Sequence, residues 1–165
     1  MSKTADNLME AFAGESQANR KYLAYAQKAD KEGYHQVAKL FRAAADAETI
    51  HAHAHFRNAG KIGTTLDNLK DAIAGETHEF KNMYPAMIAD AKAEGEKAAE
   101  RYFVYANQAE EVHASLYLKM MESLENPVET DYYNCSVCGY THEGPFTKGK
   151  CPICNASPSA FYKVD

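Results

Sequence analysis

With 165 residues, 45% of them apolar, the chain can build one domain with a real core, or one domain plus a small appendage. A net charge of -5 with no basic cluster excludes a nucleic-acid surface, and no apolar run approaches the length that crosses a bilayer. The opening MSKTADNLMEAF has neither the apolar stretch nor the small-residue cleavage site of a signal peptide, so a cytoplasmic location without membrane contact is expected.

From Thr4 to Glu32, Leu8, Phe12, Ala18, Tyr22 and Ala29 recur at three- and four-residue steps, which predicts a helix capped by Thr4 and stopped by Gly33. Glu15 lies on that apolar stripe. A second helix, 35 to 58, carries Val37, Leu40, Ala44, Glu48, His51 and His55 on one face, and the tight link makes the two helices antiparallel. Thr65 is the expected cap of a third helix reaching Glu94, with Leu66, Leu69, Ile73, Glu76, Met83 and Met87 inward. Pro85 inside it removes a hydrogen bond and crowds the preceding turn, so a kink or bulge is expected there. A fourth helix, 96 to 124, aligns Tyr102, Ala106, Glu110, His113, Tyr117 and Met120. Four long amphipathic helices predict an all-α four-helix bundle over residues 1–126.

The two halves repeat. AFAGES at 11–16 matches AIAGET at 72–77 with an offset of 61, whereas Glu48 and His51 match Glu110 and His113 with an offset of 62. One residue has been gained in between, in the region of Pro85. A Glu-x-x-His pair places a carboxylate and an imidazole on one helical face, and two such helices with a glutamate from each of the others make a dimetal site. Glu15, Glu48 and His51 therefore pair with Glu76, Glu110 and His113. Glu79, one turn beyond Glu76, is a seventh candidate ligand and has no counterpart in the first half, where Ala18 stands.

ENPVET at 125–130 cannot continue a helix through Pro127 and reads as a linker. All four cysteines lie in the last 31 residues, as Cys135-x-x-Cys138-Gly and Cys151-Pro-x-Cys154. In a cytoplasmic chain this is the spacing of two metal knuckles, not of disulfides, and it marks a second small domain, 131–165. Gly139 allows the left-handed turn that such a knuckle needs. With Tyr133, Tyr140, Phe146 and Phe161 as its core, this domain needs its metal to fold.

Five inward carboxylates demand neutralisation, because an isolated buried charge costs several kcal/mol or more. Two ferric ions with one bridging hydroxide carry the five positive charges that balance Glu15, Glu48, Glu76, Glu79 and Glu110. Carboxylate-rich ligation with two imidazoles suits iron or manganese. In the diferrous state a fifth carboxylate is one negative charge too many, so an exchange of Glu79 for neutral His51 on reduction is expected.

Together, Glu15, Glu48-x-x-His51, Glu76-x-x-Glu79, Glu110-x-x-His113, CSVCGY and CPIC resemble the rubrerythrins, ferritin-like diiron proteins with a C-terminal rubredoxin-like domain. The resemblance spans nearly the whole chain. It implies two non-haem iron ions, one iron in a four-cysteine site, and reduction of hydrogen peroxide to water with electrons from an NAD(P)H reductase or rubredoxin. It also implies that Tyr22 and Tyr84 lie near the diiron site, and it points to the same Glu79/His51 exchange. A homodimer or larger homo-oligomer is expected, since helix and linker carry the cysteines away from the His113 of their own chain. Two rivals are ferroxidase chemistry without reductive turnover and an inert bundle with a structural zinc ribbon. A red oxidised protein would exclude zinc in the cysteine site.

Overall fold

Ser2, not Thr4, starts the first helix: its Oγ accepts from the Ala5 amide at 3.2 Å, and α1 runs Lys3–Lys31. The structure is a computed structural model that describes residues 2–165, and it divides into two compact units, the first ending at Gly63 and the second spanning Thr64–Asp165. In the first unit, Gly33 takes φ +85°, and the amides of Tyr34 and Gly33 turn back to the carbonyls of Ala29 and Asp30 at 2.8 and 3.1 Å. These bonds satisfy the last carbonyls of α1 and reverse the chain into α2, His35–Asn58. Asp30 ties the turn: His35 Nδ1 lies 3.0 Å and Arg42 Nη1 2.7 Å from its carboxylate, and both hold that carboxyl below the usual range.

The α1–α2 seam is built from alanine. Ala38, Ala45 and Ala52, seven residues apart, are buried, as are Ala26 and Ala29 opposite them. Small side chains at heptad spacing let the backbones approach closely. Asn19 Nδ2 then reaches across to the Ala45 carbonyl at 2.8 Å and to Thr49 Oγ1 at 2.9 Å, and Phe12 stacks on Phe56 at 4.6 Å. Val37 and Leu40, expected inward, are 45% and 69% exposed. A layer two helices thick buries only its line of contact. Ala45→Leu, which puts an isobutyl group into a seam with no free volume, is expected to cost about 1–3 kcal/mol in chemical denaturation.

In the second unit the cap of α3, Thr65–His78, is Thr64, not Thr65. Its Oγ1 accepts from the Asp67 amide while the Asp67 carboxylate accepts from the Thr64 amide. The expected irregularity before Pro85 is a π-helical segment, Glu79–Met83, followed by α4, Tyr84–Glu94. The Tyr84 amide donates to the Glu79 carbonyl five residues back. A π segment is one residue inserted into a helix, and this is the residue by which the internal offset grows from 61 to 62. Pro85, with no N–H to offer the previous turn, stands at the start of α4 where none is needed.

Gly95, at φ +77°, turns the chain into α5, Lys97–Glu122, which packs along α3 and α4 with Ala91, Ala109 and Ala114 buried. Leu66, Met87, Tyr102 and Tyr117, expected inward, are 37–55% exposed, again because a single layer has no interior.

The C-terminal segment forms a three-stranded antiparallel sheet, with β1 (Tyr132–Cys135) between β2 (Thr141–Glu143) and β3 (Phe161–Val164). Phe146 stacks on Phe161 at 3.9 Å, and Tyr140 meets Phe161 edge-on at 6.2 Å. The expectation that the linker carries this segment away from His113 is corrected. The chain reverses after α5, and Lys119 Nζ bonds Glu143 at 2.6 Å, holding β2 against the helix.

Candidate metal centres

The four cysteines are free thiols whose sulfurs all lie within 4.8 Å of one another. Cys135 and Cys154 Sγ are 3.6 Å apart, as are Cys138 and Cys151. These are not disulfide distances. A metal about 2.3 Å from four tetrahedral sulfurs needs edges of about 3.8 Å, so the cluster already has the dimensions of a tetrathiolate site. Two matched turns set it: the Gly139 amide donates to the Cys135 carbonyl at 2.9 Å and the Asn155 amide to the Cys151 carbonyl at 3.0 Å. Gly139 has the expected positive φ, +80°, and Asn155 takes the same role at +61°, a part that the sequence reading missed although asparagine tolerates that conformation. Burial raises the Cys138 and Cys154 thiols. At Cys135 burial acts the same way but is outweighed by the Val137 and Cys138 amides, so its thiol is lowered. Four thiolates packed this closely require a cation.

In the first unit, Glu15, Glu48 and His51 bring one ligand atom each within 4.8 Å of the others. His51 Nδ1 is 3.0 Å from Glu48 and 3.9 Å from Glu15. Hydrogen bonds from His51 and then Glu15 lower the Glu48 carboxyl. The His51 side chain is 55% exposed. Tyr22 lies further along α1, among Tyr25 and Phe41 at ring distances of 6.3 and 6.1 Å, outside the three-atom group.

The second unit assembles the matching group, Glu76, Glu110 and His113, at closer to interior conditions, with all three side chains less than a quarter exposed. Burial, followed by the charge of Glu110, pushes Glu76 up to about 7, and the same two causes in the same order raise Glu79. Glu79 heads the π segment and stands outside the three-atom group. Burial and the carboxylates Glu110, Glu79 and Glu76 raise the Tyr84 phenol, which places Tyr84 in the field of this group. Crowded carboxylates that resist ionisation are the chemistry of a cation site without its cation.

His113 links this group to the cysteines. Its Nδ1 donates to Glu110 Oε2 at 2.6 Å, and its Nε2 lies 3.1 Å from the carbonyl of Gly139 and 3.0 Å from Thr141 Oγ1. Thr141 in turn donates to Asn134 Oδ1 at 2.9 Å. A carbonyl only accepts, so Nε2 carries a proton; with Nδ1 facing a carboxylate, the pKa of the ring is raised, chiefly by the Glu110 bond. A metal on Nδ1 would displace any proton there and leave Nε2–H on Gly139, the tautomer that a ligating imidazole requires. No local motif marks this contact. Gly139 was legible as a turn, but its carbonyl meets a residue 26 positions earlier.

The donor sets fit the two groups that the sequence implied: three oxygen/nitrogen ligands in each helical unit plus Glu79, and four sulfurs at tetrahedral spacing. Comparison with known proteins agrees. The rubrerythrin family model matches residues 6–121, and the model described as rubrerythrin, rubredoxin-like domain, matches residues 133–162. Rubrerythrin-2 of Clostridium acetobutylicum is 38% identical, with 96% of this chain and 95% of that protein aligned. Nigerythrin of Nitratidesulfovibrio vulgaris is 36% identical over 92% of this chain and 81% of its own length. The rubrerythrin of Porphyromonas gingivalis is 35% identical over 98% and 90%. Among solved structures, the fully reduced, all-ferrous state of nigerythrin has a TM-score of 0.60 at 34% identity, covering 99% of this chain and 88% of that one. The fold is thus a ferritin-like helical domain followed by a small rubredoxin-like domain. The chain belongs to the rubrerythrin family, iron-containing oxidoreductases, and its cofactors are the diiron carboxylate centre and the one-iron four-cysteine site of that family.

Proposed function

We propose that this chain is a cytoplasmic non-haem diiron peroxidase that reduces hydrogen peroxide to water in defence against oxidative stress. In this reading residues 1–126 form the diiron domain and residues 131–165 the electron-relay domain. Glu15, Glu48, His51, Glu76, Glu79, Glu110 and His113 hold two irons, and Cys135, Cys138, Cys151 and Cys154 hold one. When loaded, this site would supply the two electrons needed to reduce peroxide, and two protons would complete two waters. Electrons enter through the cysteine site from a separate NAD(P)H-linked reductase or a rubredoxin, and the working unit is at least a homodimer.

The observation that carries this reading is the His113 bridge. One imidazole faces the carboxylate group through Nδ1 and the carbonyl after Cys138 through Nε2, at 3.1 Å. A protein that only stored iron would have no use for such a link, because its electrons would come from the iron itself. Tyr84, kept protonated by burial and by three carboxylates, is suited to hold a proton beside the reacting peroxide. Tyr22 is assigned the matching position in the first half. Glu79 and His51 would be the pair that exchange with redox state, a reading supported by Glu79 standing outside the tight group and by His51 being the most exposed of the six residues in the two groups.

The test is stopped-flow oxidation of the fully reduced protein. One peroxide per diiron pair should be consumed rapidly, with the red ferric-thiolate absorbance appearing after the diiron centre is oxidised. Reaction with dioxygen alone, and none with peroxide, would favour the ferroxidase alternative.

A further inference from the structure

A ligating imidazole offers a fixed nitrogen only if its other nitrogen is committed elsewhere. For His113 the residues that commit it come from the cysteine domain. Nε2 lies 3.0 Å from Thr141 Oγ1 as well as 3.1 Å from the Gly139 carbonyl. A hydroxyl can donate or accept, so Thr141 by itself would not choose between the ring nitrogens. Asn134 makes the choice. It stands directly opposite Thr141 in the β1–β2 pairing, and Thr141 donates its one proton to Asn134 Oδ1 at 2.9 Å. Only lone pairs are then left facing Nε2, which must donate, and Nδ1 is the nitrogen turned to Glu110 at 2.6 Å.

Two contacts set the register of the strand that carries Thr141. Thr141 and Glu143 share a face of β2, two residues and about 7 Å apart. They meet His113 and Lys119 of α5, six residues and about 9 Å apart along the helix. The near match in spacing lets both pairs form at once. Lys119–Glu143 is largely exposed and adds little energy, but it sets the register in which Thr141 finds His113. A cavity of about 320 Å³, bordered by Tyr117, Met120 and Tyr132, opens beside them. Solvent from that cavity donates as readily as it accepts, so it cannot replace the selection that Thr141 makes.

The parts of this device flank the first knuckle. Asn134 precedes Cys135, and Gly139 and Thr141 follow Cys138. They come together around His113 only when the knuckle is formed, and the knuckle needs its metal. We propose that Thr141, oriented by Asn134, is a positioning residue that presents His113 Nδ1 to the group formed with Glu76 and Glu110, and that filling the cysteine site thereby raises the metal affinity of that group. By reciprocity, metal on His113 Nδ1 tightens the cysteine site. The two sites load as a coupled pair, so redox-active metal is held best where a relay already stands beside it. The inference rests on the diiron reading, and its test separates the two.

Full-length protein is loaded with one zinc per chain, which the four sulfurs take, and ferrous iron is titrated anaerobically into the carboxylate group against a competing chelator. Thr141→Val keeps the branched shape and loses the hydroxyl, whereas Asn134→Leu keeps the hydroxyl and frees its proton. Each should bind that iron about 10-fold more weakly, the lower end of what losing an outer-shell partner costs, because the Gly139 carbonyl remains. Thr141→Ser should restore wild-type affinity. In Cys135→Ser/Cys154→Ser, where Thr141 and Gly139 are both lost to His113, the weakening should approach about 100-fold. A second readout needs no iron. With zinc in both sites, the His113 Nε2 proton should be visible by NMR of the 15N-labelled ring and exchange slowly with water, and Thr141→Val should speed that exchange while Thr141→Ser does not. Equal iron affinity in wild type, Thr141→Val and Asn134→Leu, with the thiolate zinc retained, would overturn the proposal, as would a Thr141→Ser no better than Thr141→Val. Outright loss of the thiolate zinc in Thr141→Val would make the residue structural and overturn its positioning role. Wild type that takes up no iron beyond the cysteine site would overturn the diiron reading instead.

Discussion

Cys138→Ser is expected to abolish the red ferric-thiolate absorbance and to stop reductase-linked turnover, while the pre-reduced protein still consumes one peroxide per diiron pair. The loss reaches the fold as well as the redox chain. Four sulfurs within 4.8 Å of one another, two of them raised by burial, do not stay together as thiolates without a cation. The domain around them has little else: one stacked pair, Phe146 on Phe161, and three strands of three or four residues. Structural metal of this kind contributes roughly 10 kcal/mol or more to folding a small domain, so the amides pairing β1 with β2 and β3 should lose protection from hydrogen exchange together. The Gly139 carbonyl leaves His113 at the same time. Multiple turnover should fall by more than the roughly 10- to 100-fold typical of losing an outer-shell partner. Full multiple turnover without that iron would show that the cysteine domain is not the relay.

How far the sequence reached depends on whether a feature is local. The helix ends, the glycine turns and the knuckle spacing are short-range consequences of a few residues, and they appear in the structure within two residues of where they are expected. The π segment was also legible: an offset that grows from 61 to 62 between repeats counts its inserted residue, and Pro85 says where it sits. The stripes brought the candidate ligands together, since Glu48 with His51 and Glu110 with His113 do converge with Glu15 and Glu76. Periodicity could not say which faces are covered. Leu40 and Tyr102 have the spacing of core residues, yet packing within a single layer of helices leaves them exposed. The bonds from His113 to Gly139 and Thr141 were illegible for a different reason, since they depend on a chain reversal after α5 that no residue pattern specifies. Asn155 was illegible because asparagine visits the left-handed region without being diagnostic of it, as glycine is.

Glu76→Gln should move stability in opposite directions with and without metal. In the metal-free protein the Glu76 carboxyl is pushed up to about 7 by burial and by Glu110, so its ionised form is the disfavoured one in the fold. The folded state then binds more protons than the unfolded state between the ordinary carboxyl pKa and about 7, and stability falls as pH rises through that window. Metal-free wild type should therefore melt higher near pH 5 than at pH 8. The glutamine isostere has no proton to lose, which flattens this part of the profile. At pH 8 it should be the more stable metal-free protein, on the order of 1 kcal/mol once the partial exposure of Glu76 and solvent screening are discounted; near pH 5 the two should coincide. Iron reverses the order. A cation needs the carboxylate that the fold resists, so the wild type gains stability from metal in proportion to occupancy, while the variant, short of one ligand, gains less. Melting curves of both proteins at pH 5 and pH 8, with and without ferrous iron, should cross. If metal-free Glu76→Gln were less stable than wild type at pH 8, the crowding of Glu76 against Glu110 would not be a cost that iron relieves.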